Sequence, residues 1–505
     1  MSLPSLIEIV PLTGPVRAEI TVPGSKSITN RALILAALAQ GKVTLSGALW
    51  SEDTQIMVEC LHKLGFDVQV TADPAEFCNR TITVQGLGGR IPPGGTESQP
   101  LELFVGNAGT AARFLAPFLC LGSGVYRLSG VPRMHERPQA ALFKALRQLR
   151  YQVASENGND KLPALIYGDG NVQNSFLSRG TYANATGRMG SEGIHLGEDR
   201  PAPVPQRWCQ VSIGASSQFA SALLLSATIG GWEIEVTGEN ADESPYVVMT
   251  SKLMEVFPNA GGTFQIEPDA SSGSYFLAAG KIVEEPEIME YSKEFGVEVP
   301  TQYFNKICVA NWPSSGWQID ERFLGFLSFR HVMRAFIKAE NAGENLDRNL
   351  AKEIYRTRKH EVSRTHDLGD SIMTAIVYTT VSHEVLQFTD LGRLRVQECE
   401  RVVALKTELT KCGGKVIEAG DTLTVFPSAL HGAEIETYND HRMAMCFAIL
   451  GLKVPGIKIM NPACVKKTFP NFFQKLATPA PAGLGATILD GHTGRPLALD
   501  ELFAD

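Results

Sequence analysis

Pro23-Gly24-Ser25-Lys26-Ser27-Ile28-Thr29-Asn30-Arg31 is a small-residue turn that opens into an apolar run and carries cations in the first turns of the helix it starts. Gly106-Asn107-Ala108-Gly109-Thr110-Ala111-Ala112-Arg113 repeats the design further along the chain. Gly24 and Gly109 let the backbone come close to an anion, and the free N–H groups of a helix start point outward with the positive end of the macrodipole. Lys26, Arg31 and Arg113 add full charges. Two such elements in one chain point to a small, multiply anionic substrate bearing phosphate and carboxylate. Gly-Ser-Lys-Ser looks like the end of a nucleotide P-loop, but the Gly-x4-Gly-Lys spacing is absent.

Working outward, strand-like and helix-like stretches alternate. Glu19 to Val22 and Val43 to Ser46 read as strands, Ile28 to Ala39 as an apolar helix stopped by Gly41, and Thr54 to Leu64 as a helix stopped by Gly65. Phe66 to Val70 and Thr81 to Val84 read as extended. Ala111 to Leu121, Pro138 to Leu149, Gln218 to Ala227 and Tyr246 to Phe257 read as helices. Such alternation fits an α/β layered architecture. No exact repeat is visible, so internal symmetry would be structural only. Asp320 to Lys359 is charge-dense and helix-like, and the Pro-Ala-Pro-Ala-Gly stretch after Ala477 reads as a flexible extension.

Bulk properties narrow the function classes. The 505 residues allow two or more domains. The balance of 46 basic against 54 acidic residues, net −8, argues against a nucleic-acid or membrane surface. Nine cysteines without metal-type pairing suit reduced thiols, with Cys60 and Cys120 in the core. No secretory start and no long apolar span is seen, so a cytoplasmic enzyme is expected.

Downstream motifs add chemistry. Ser216-Ser217-Gln218-Phe219 places two hydroxyls and an amide at a helix start, suited to a phosphate or a hydroxylated ligand. Arg133-Met134-His135-Glu136-Arg137-Pro138 sets two arginines before a helix-starting proline. Asn439-Asp440-His441-Arg442-Met443-Ala444-Met445 reads as a capped helix with His441 and Arg442 exposed in its first turn, where cations oppose the dipole and invite an anionic partner. Lys466-Lys467-Thr468-Phe469-Pro470 closes the series.

With Asp269-Ala270-Ser271-Ser272-Gly273-Ser274-Tyr275-Phe276, these motifs stand in the order found in the 5-enolpyruvylshikimate-3-phosphate synthase family of enolpyruvyl transferases, which the chain resembles from roughly Ile9 to Leu476. The resemblance is faint only over 281–369. It implies an α/β fold of two similar domains, each of three βαβαββ units (an inside-out α/β barrel), closing over substrates at their interface. The expected divisions are 1–21 with 268–477 as a split first domain, 22–267 as an inserted second domain, and 478–505 as a C-terminal extension.

The resemblance also implies an activity: transfer of the enolpyruvyl group of phosphoenolpyruvate to the 5-hydroxyl of shikimate-3-phosphate, in the route to chorismate and the aromatic amino acids. It needs no cofactor or metal, and a monomer is expected. By resemblance, shikimate-3-phosphate contacts fall on Lys26, Ser27, Arg31, Ser216, Ser217, Gln218 and Asp370. Phosphoenolpyruvate contacts fall on Lys26, Gly109, Arg133, Gln218, Arg401, Arg442 and Lys467, and Arg113, Tyr246 and His441 match further family positions. Asp370 would be the base at the 5-hydroxyl, and Glu398 would share proton transfer with Lys26. Gly109, lacking a side chain, implies room for glyphosate in the phosphoenolpyruvate site.

Three positions depart from the family. Gln397 stands where lysine is usual, Arg393 where a small polar residue is usual, and Glu243 where serine is usual. If Gly392 to Gln397 is extended, residues 393, 395 and 397 share a face and Arg393 replaces the missing lysine charge. Two rival readings are UDP-N-acetylglucosamine enolpyruvyl transferase and a non-catalytic anion-binding relative. Lys26-Ser27 and Ser216-Ser217-Gln218 argue against the first, and retention of Asp370, Glu398 and Lys26 against the second.

Overall fold

The motif turns each deliver the chain into a buried helix. The computed structural model describes residues 3–170, 207–238, 244–283, 306–327, 361–382 and 384–504. Helices Lys26–Leu38, Gly109–Cys120 and Gln218–Gly230 start at three motifs, and helices Ala270–Ile282, Ile372–Thr379 and His441–Gly451 at three others. All are apolar nearly all round: every residue of Gly109–Cys120 is buried, Arg113 included. A helix apolar on all faces belongs inside, not on a surface.

The chain divides into two compact units, Met1–Ser25 with Pro74–Asn79 and Glu267–Asp505, and Lys26–Asp73 with Arg80–Ile266. In the second unit, the helices starting at Lys26, Gly109 and Gln218 touch one another; in the first, those starting at Ala270, Ile372 and His441 do. Each trio is ringed by sheets of one pattern. In the second unit the strand orders are Gly262–Gln265, Lys42–Leu49, Asn79–Gln85, Val68–Ala72; and Leu101–Phe104, Ser123–Ser129, Ala164–Asp169, Gln152–Ser155; with a parallel pair, Arg207–Ser212 and Trp232–Thr237. In the first they are Glu361–Ser363, Leu386–Thr389, Thr422–Phe426, Lys415–Ala419; and Glu434–Ile435, Ile457–Met460, Leu6–Ile9, Ile488–Asp490; with a parallel pair, Arg17–Ile20 and Lys306–Val309. The repeat invisible in the sequence is thus present in the strand orders.

In four of these sheets a parallel strand pair flanks one buried helix, as Leu101–Phe104 and Ser123–Ser129 flank Gly109–Cys120 in register Leu101↔Tyr126 to Phe104↔Ser129. The motif loop therefore leaves the carboxyl end of a strand, where α/β sheets place their ligand-binding loops.

Helix limits fall within two residues of the sequence reading at most ends; Lys26–Leu38 starts earlier, at the lysine itself. The charge-dense Asp320 stretch begins as a 3-10 turn, Ile319–Arg322, with Ile319 and Asp320 buried; residues 328–360 and Glu243 lie outside those described.

Two expectations are corrected. The tail is no flexible extension: Ile488–Asp490 pairs antiparallel with Leu6–Ile9, and Leu484, Ala486, Ile488, Leu502 and Ala504 are buried in the core of the first unit. Gly392 to Gln397 is not extended. Asp390 adopts a left-handed conformation (φ 59°) and launches a 3-10 helix, Leu391–Val396, whose Leu391 and Leu394 are buried. That three-residue spacing suits a 3-10 turn, in which 393, 395 and 397 no longer share a face. Among the described residues, no helix is long and apolar enough to cross a membrane. All nine cysteines are free, Cys60 and Cys120 buried.

Candidate active site

In the second unit the first turns of the three buried helices are tied together by cations. Arg31, 1% exposed, donates from Nε to Thr250 Oγ1 (2.7 Å) and from Nη2 to Ser221 Oγ (3.0 Å) and the Tyr246 carbonyl (3.3 Å). Its guanidinium lies 5.2 Å from the Phe114 ring centroid. No carboxylate among the described residues pairs with it, and burial pulls its pKa down to about 10. Arg113 donates to Gln218 Oε1 (2.7 Å), joining the Gly109 and Gln218 helices, and Asn30 donates to Thr110 Oγ1 (3.1 Å), joining the Lys26 and Gly109 helices.

Lys26 Nζ lies 3.2 Å from Asp53, a buried carboxylate in the first turn of helix Glu52–Lys63. Ser27 offers its carbonyl to Arg31 Nη1 (2.8 Å). Ser216 Oγ accepts from the Gln218 N–H (3.3 Å), and Ser217 is buried beside it.

Gly109 is hemmed in by two guanidinium groups. A Cβ there would stand 2.7 Å from Arg113 Nη1 and 2.7 Å from Arg137 Nη2. Arg137, which also donates to the Asn107 carbonyl (3.3 Å), is the arginine that the Pro-Arg-Met-x-Glu-Arg-Pro motif brings to this place. Arg133 is not brought there: the short helix Pro132–Glu136 turns it outward, where it is exposed and paired with Glu136 (2.6 Å).

In the first unit, Arg442 bridges three helix starts. It bonds Ser271 Oγ and Tyr275 Oη (3.3 Å), and its Nη2 lies 3.2 Å from Asp370 Oδ2. Asp370 also accepts from Arg364 Nη2 at 2.6 Å. Burial alone would raise the Asp370 pKa; the guanidinium groups of Arg442, Arg364 and Arg401 outweigh it and hold the carboxyl well below its usual range. Asp440 caps helix His441–Gly451, accepting the Arg442 N–H (2.9 Å), and binds Arg401 Nε (2.6 Å). Arg401 also meets Glu398 (2.8 Å) and the Gln397 side chain. Glu398 in turn meets Lys467 Nζ (3.1 Å).

His441 is buried, not exposed, 3.7 Å from Asp440. The dipole conflict anticipated at this helix start is answered within the protein, by Asp440 and Asp370.

The family profile described as EPSP synthase (3-phosphoshikimate 1-carboxyvinyltransferase) matches residues 11–186 and 305–476. The chain belongs to this family. A 3-phosphoshikimate 1-carboxyvinyltransferase of Trichormus variabilis is 33% identical over 489 residues, covering 93% of this chain and 98% of the relative. One from Opitutus terrae is 34% identical over 506 residues, covering 95% and 98%. Among solved structures, an EPSP synthase from Acinetobacter baumannii matches with a TM-score of 0.58 at 19% identity, covering 96% of this chain and 99% of that one, a likeness of fold. An enolpyruvyl transferase from Streptomyces tendae has the same fold, with a TM-score of 0.54 at 13% identity, covering 97% and 99%.

Sequence reasoning missed Asp53, Arg137, Arg364 and Asp440. Arg137 and Asp440 sit inside quoted motifs and were legible there. Asp53 follows Ser51 in an ordinary-looking helix start, and Arg364 lies in the faint stretch, without a signal.

Proposed function

We propose that this chain transfers the enolpyruvyl group of phosphoenolpyruvate to the 5-hydroxyl of shikimate-3-phosphate, releasing phosphate. The observation that carries the reading is the first unit's arrangement: two carboxylates, Asp370 and Glu398, set among Arg364, Arg401, Arg442 and Lys467. Addition followed by elimination on two polyanions needs both parts, a pair of proton-transfer groups and cations enough to hold phosphates and carboxylates that repel each other.

The steps assign roles. Asp370 takes the proton of the 5-hydroxyl as its oxygen bonds to C2 of phosphoenolpyruvate, and C3 receives a proton from Lys26 or Glu398. The tetrahedral adduct then breaks its C2–O bond to phosphate while C3 returns its proton, restoring the double bond. Arg31, Ser27, Ser216, Ser217, Gln218 and Tyr246 bind shikimate-3-phosphate. Gly109, Arg113, Arg137, Arg401, Arg442 and Lys467 bind phosphoenolpyruvate, and His441 is assigned to the same substrate-binding set. Arg137 takes the part the sequence reading gave to Arg133, and its position against Gly109 supports the exchange. Binding holds the reacting atoms in place, which supplies much of the rate.

Nine free thiols support a reducing, cytoplasmic compartment. Assembly is read as monomeric, and glyphosate as a competitor of phosphoenolpyruvate beside Gly109. A phosphate-release assay with both substrates tests the reaction. Release only with UDP-N-acetylglucosamine as acceptor would move the chain to the sister activity; release with neither acceptor would leave an anion-binding protein.

A further inference from the structure

The 3-10 turn Ile319–Arg322 has no place in the reaction above, yet it carries a second buried carboxylate, Asp320, 5% exposed. Its Oδ1 accepts the backbone N–H of Ser371 at 2.6 Å. Its Oδ2 lies 2.6 Å from where a Cβ on Gly369 would stand. Asp320 therefore holds one chain neighbour of Asp370 by a hydrogen bond and packs so closely against the other that a side chain at Gly369 would have to displace it.

The turn is mounted firmly. Gln318 accepts the Ala270 N–H (3.1 Å) and donates to the Pro268 carbonyl (2.9 Å) and Glu267 (3.3 Å), while Arg322 donates to the His366 carbonyl (2.6 Å).

We propose that Asp320 is a positioning residue for Asp370: it fixes the peptide that carries the base, and when ionised it sets a second negative charge beside it that strengthens the base's hold on a proton. This rests on the reading of Asp370 as the base. The need is electrostatic. Arg442, Arg364 and Arg401 make Asp370 a weak proton acceptor, and a neighbouring anion opposes them. Geometry and burial give Asp320 that capacity: burial, and then the Asp370 charge, push its pKa up to about 6, against the pull of Arg442 and the Ser371 hydrogen bond.

The other charged groups around it are Arg364 on Asp370, Asp269 acting on Arg442, Glu267 on Gln318, and Glu321, Arg322, His366 and Asp367 on the adjoining segments. As pH rises through about 6 Asp320 gains its charge, so the turnover of the native enzyme should rise over the same interval.

The test is kcat and KM from pH 5 to 9 for the native enzyme and for Asp320→Asn, Asp320→Glu, Asp320→Ala and Asp370→Asn. Asparagine keeps an acceptor for the Ser371 N–H without the charge. Its kcat should match the native value within about twofold at pH 5 and fall about tenfold below it at pH 8, with the rise near pH 6 gone and both KM values little changed. Asp320→Glu should keep the rise at reduced kcat, and Asp320→Ala should be slower at every pH. A native pH profile in Asp320→Asn, or a change confined to KM, overturns the inference. Native turnover in Asp370→Asn would instead overturn the base assignment, so the two failures are distinguishable.

Discussion

Gly109 and the two guanidinium groups around it make a sharp case at the scale of one residue. A methyl group there meets the flexible ends of Arg113 and Arg137, so Gly109→Ala should fold normally. It should raise KM for phosphoenolpyruvate about fivefold, equivalent to about 1 kcal/mol of displaced contact, and weaken glyphosate more. The two arginines of one motif should part company: Arg133→Gln stays within twofold of native kcat/KM, whereas Arg137→Gln loses about thirtyfold, the worth of one charged hydrogen bond. Steady-state kinetics on the pair decides it; equal losses would return Arg133 to the site. Motif reading located this group of residues but assigned Arg133 rather than Arg137, because a five-residue helix sets the directions of two arginines four apart. Asp320 was beyond reach for another reason. It stands at the head of a stretch that reads as charge-dense and helix-like, and only the fold reveals that this carboxylate is buried.

Among elements, the buried helices were the most legible, since small capping residues before a long apolar run have few other readings. Asp269 and Asp440 cap by side chain at 2.6 and 2.9 Å. The tail was the least legible. Pro-Ala-Pro-Ala-Gly reads as a linker, and Ile488–Asp490 is too short to announce itself as a strand. What makes it a strand is a partner far away in sequence, Leu6–Ile9. Truncation after Ala477 removes that pairing and the buried Leu484, Ile488 and Leu502, worth about 2 kcal/mol each. Their sum rivals the whole stability of an ordinary domain, so the truncated chain should lose its cooperative thermal transition for the first unit. Retention of the native melting temperature would show the tail to be dispensable. The 3-10 helix Leu391–Val396 carries the same lesson on a smaller scale: the sequence reading allows an extended Gly392 to Gln397, and a 3-10 turn that buries Leu391 with Leu394 stands there instead.

For the whole molecule, the two carboxylates at Asp320 and Asp370 pull stability in opposite directions with pH. The Asp370 pKa is depressed on folding, so its stabilisation is present above the ordinary carboxylate pKa of about 4 and is lost as pH falls below it. The Asp320 pKa is raised to about 6, so folding favours its protonated form and that contribution is lost as pH rises through 6. At pH 8 an ionised Asp320 costs the fold about 2–3 kcal/mol. Asp320→Asn should therefore raise the melting temperature at pH 8 and leave it nearly unchanged at pH 4, the reverse of its effect on turnover. Melting curves at the two pH values check this, and an equal shift at both would remove the charge from the account. A residue that slows the enzyme when neutralised yet stabilises it is the signature of a functional site.

The strand Leu6–Ile9 lies between Ile457–Met460 and Ile488–Asp490 in its sheet. During synthesis it leaves the ribosome roughly 450 residues before the first of its partners and roughly 480 before the second. At roughly 5–20 residues per second, that nascent segment waits about 25–100 s with its hydrogen-bonding edges open. Every described strand of the second unit, by contrast, can find its partners once residue 265 has emerged. Completion of the first unit is thereby tied to the emergence of residues 457–490, and chains ended before them carry an unpaired apolar strand open to chaperones or to aggregation.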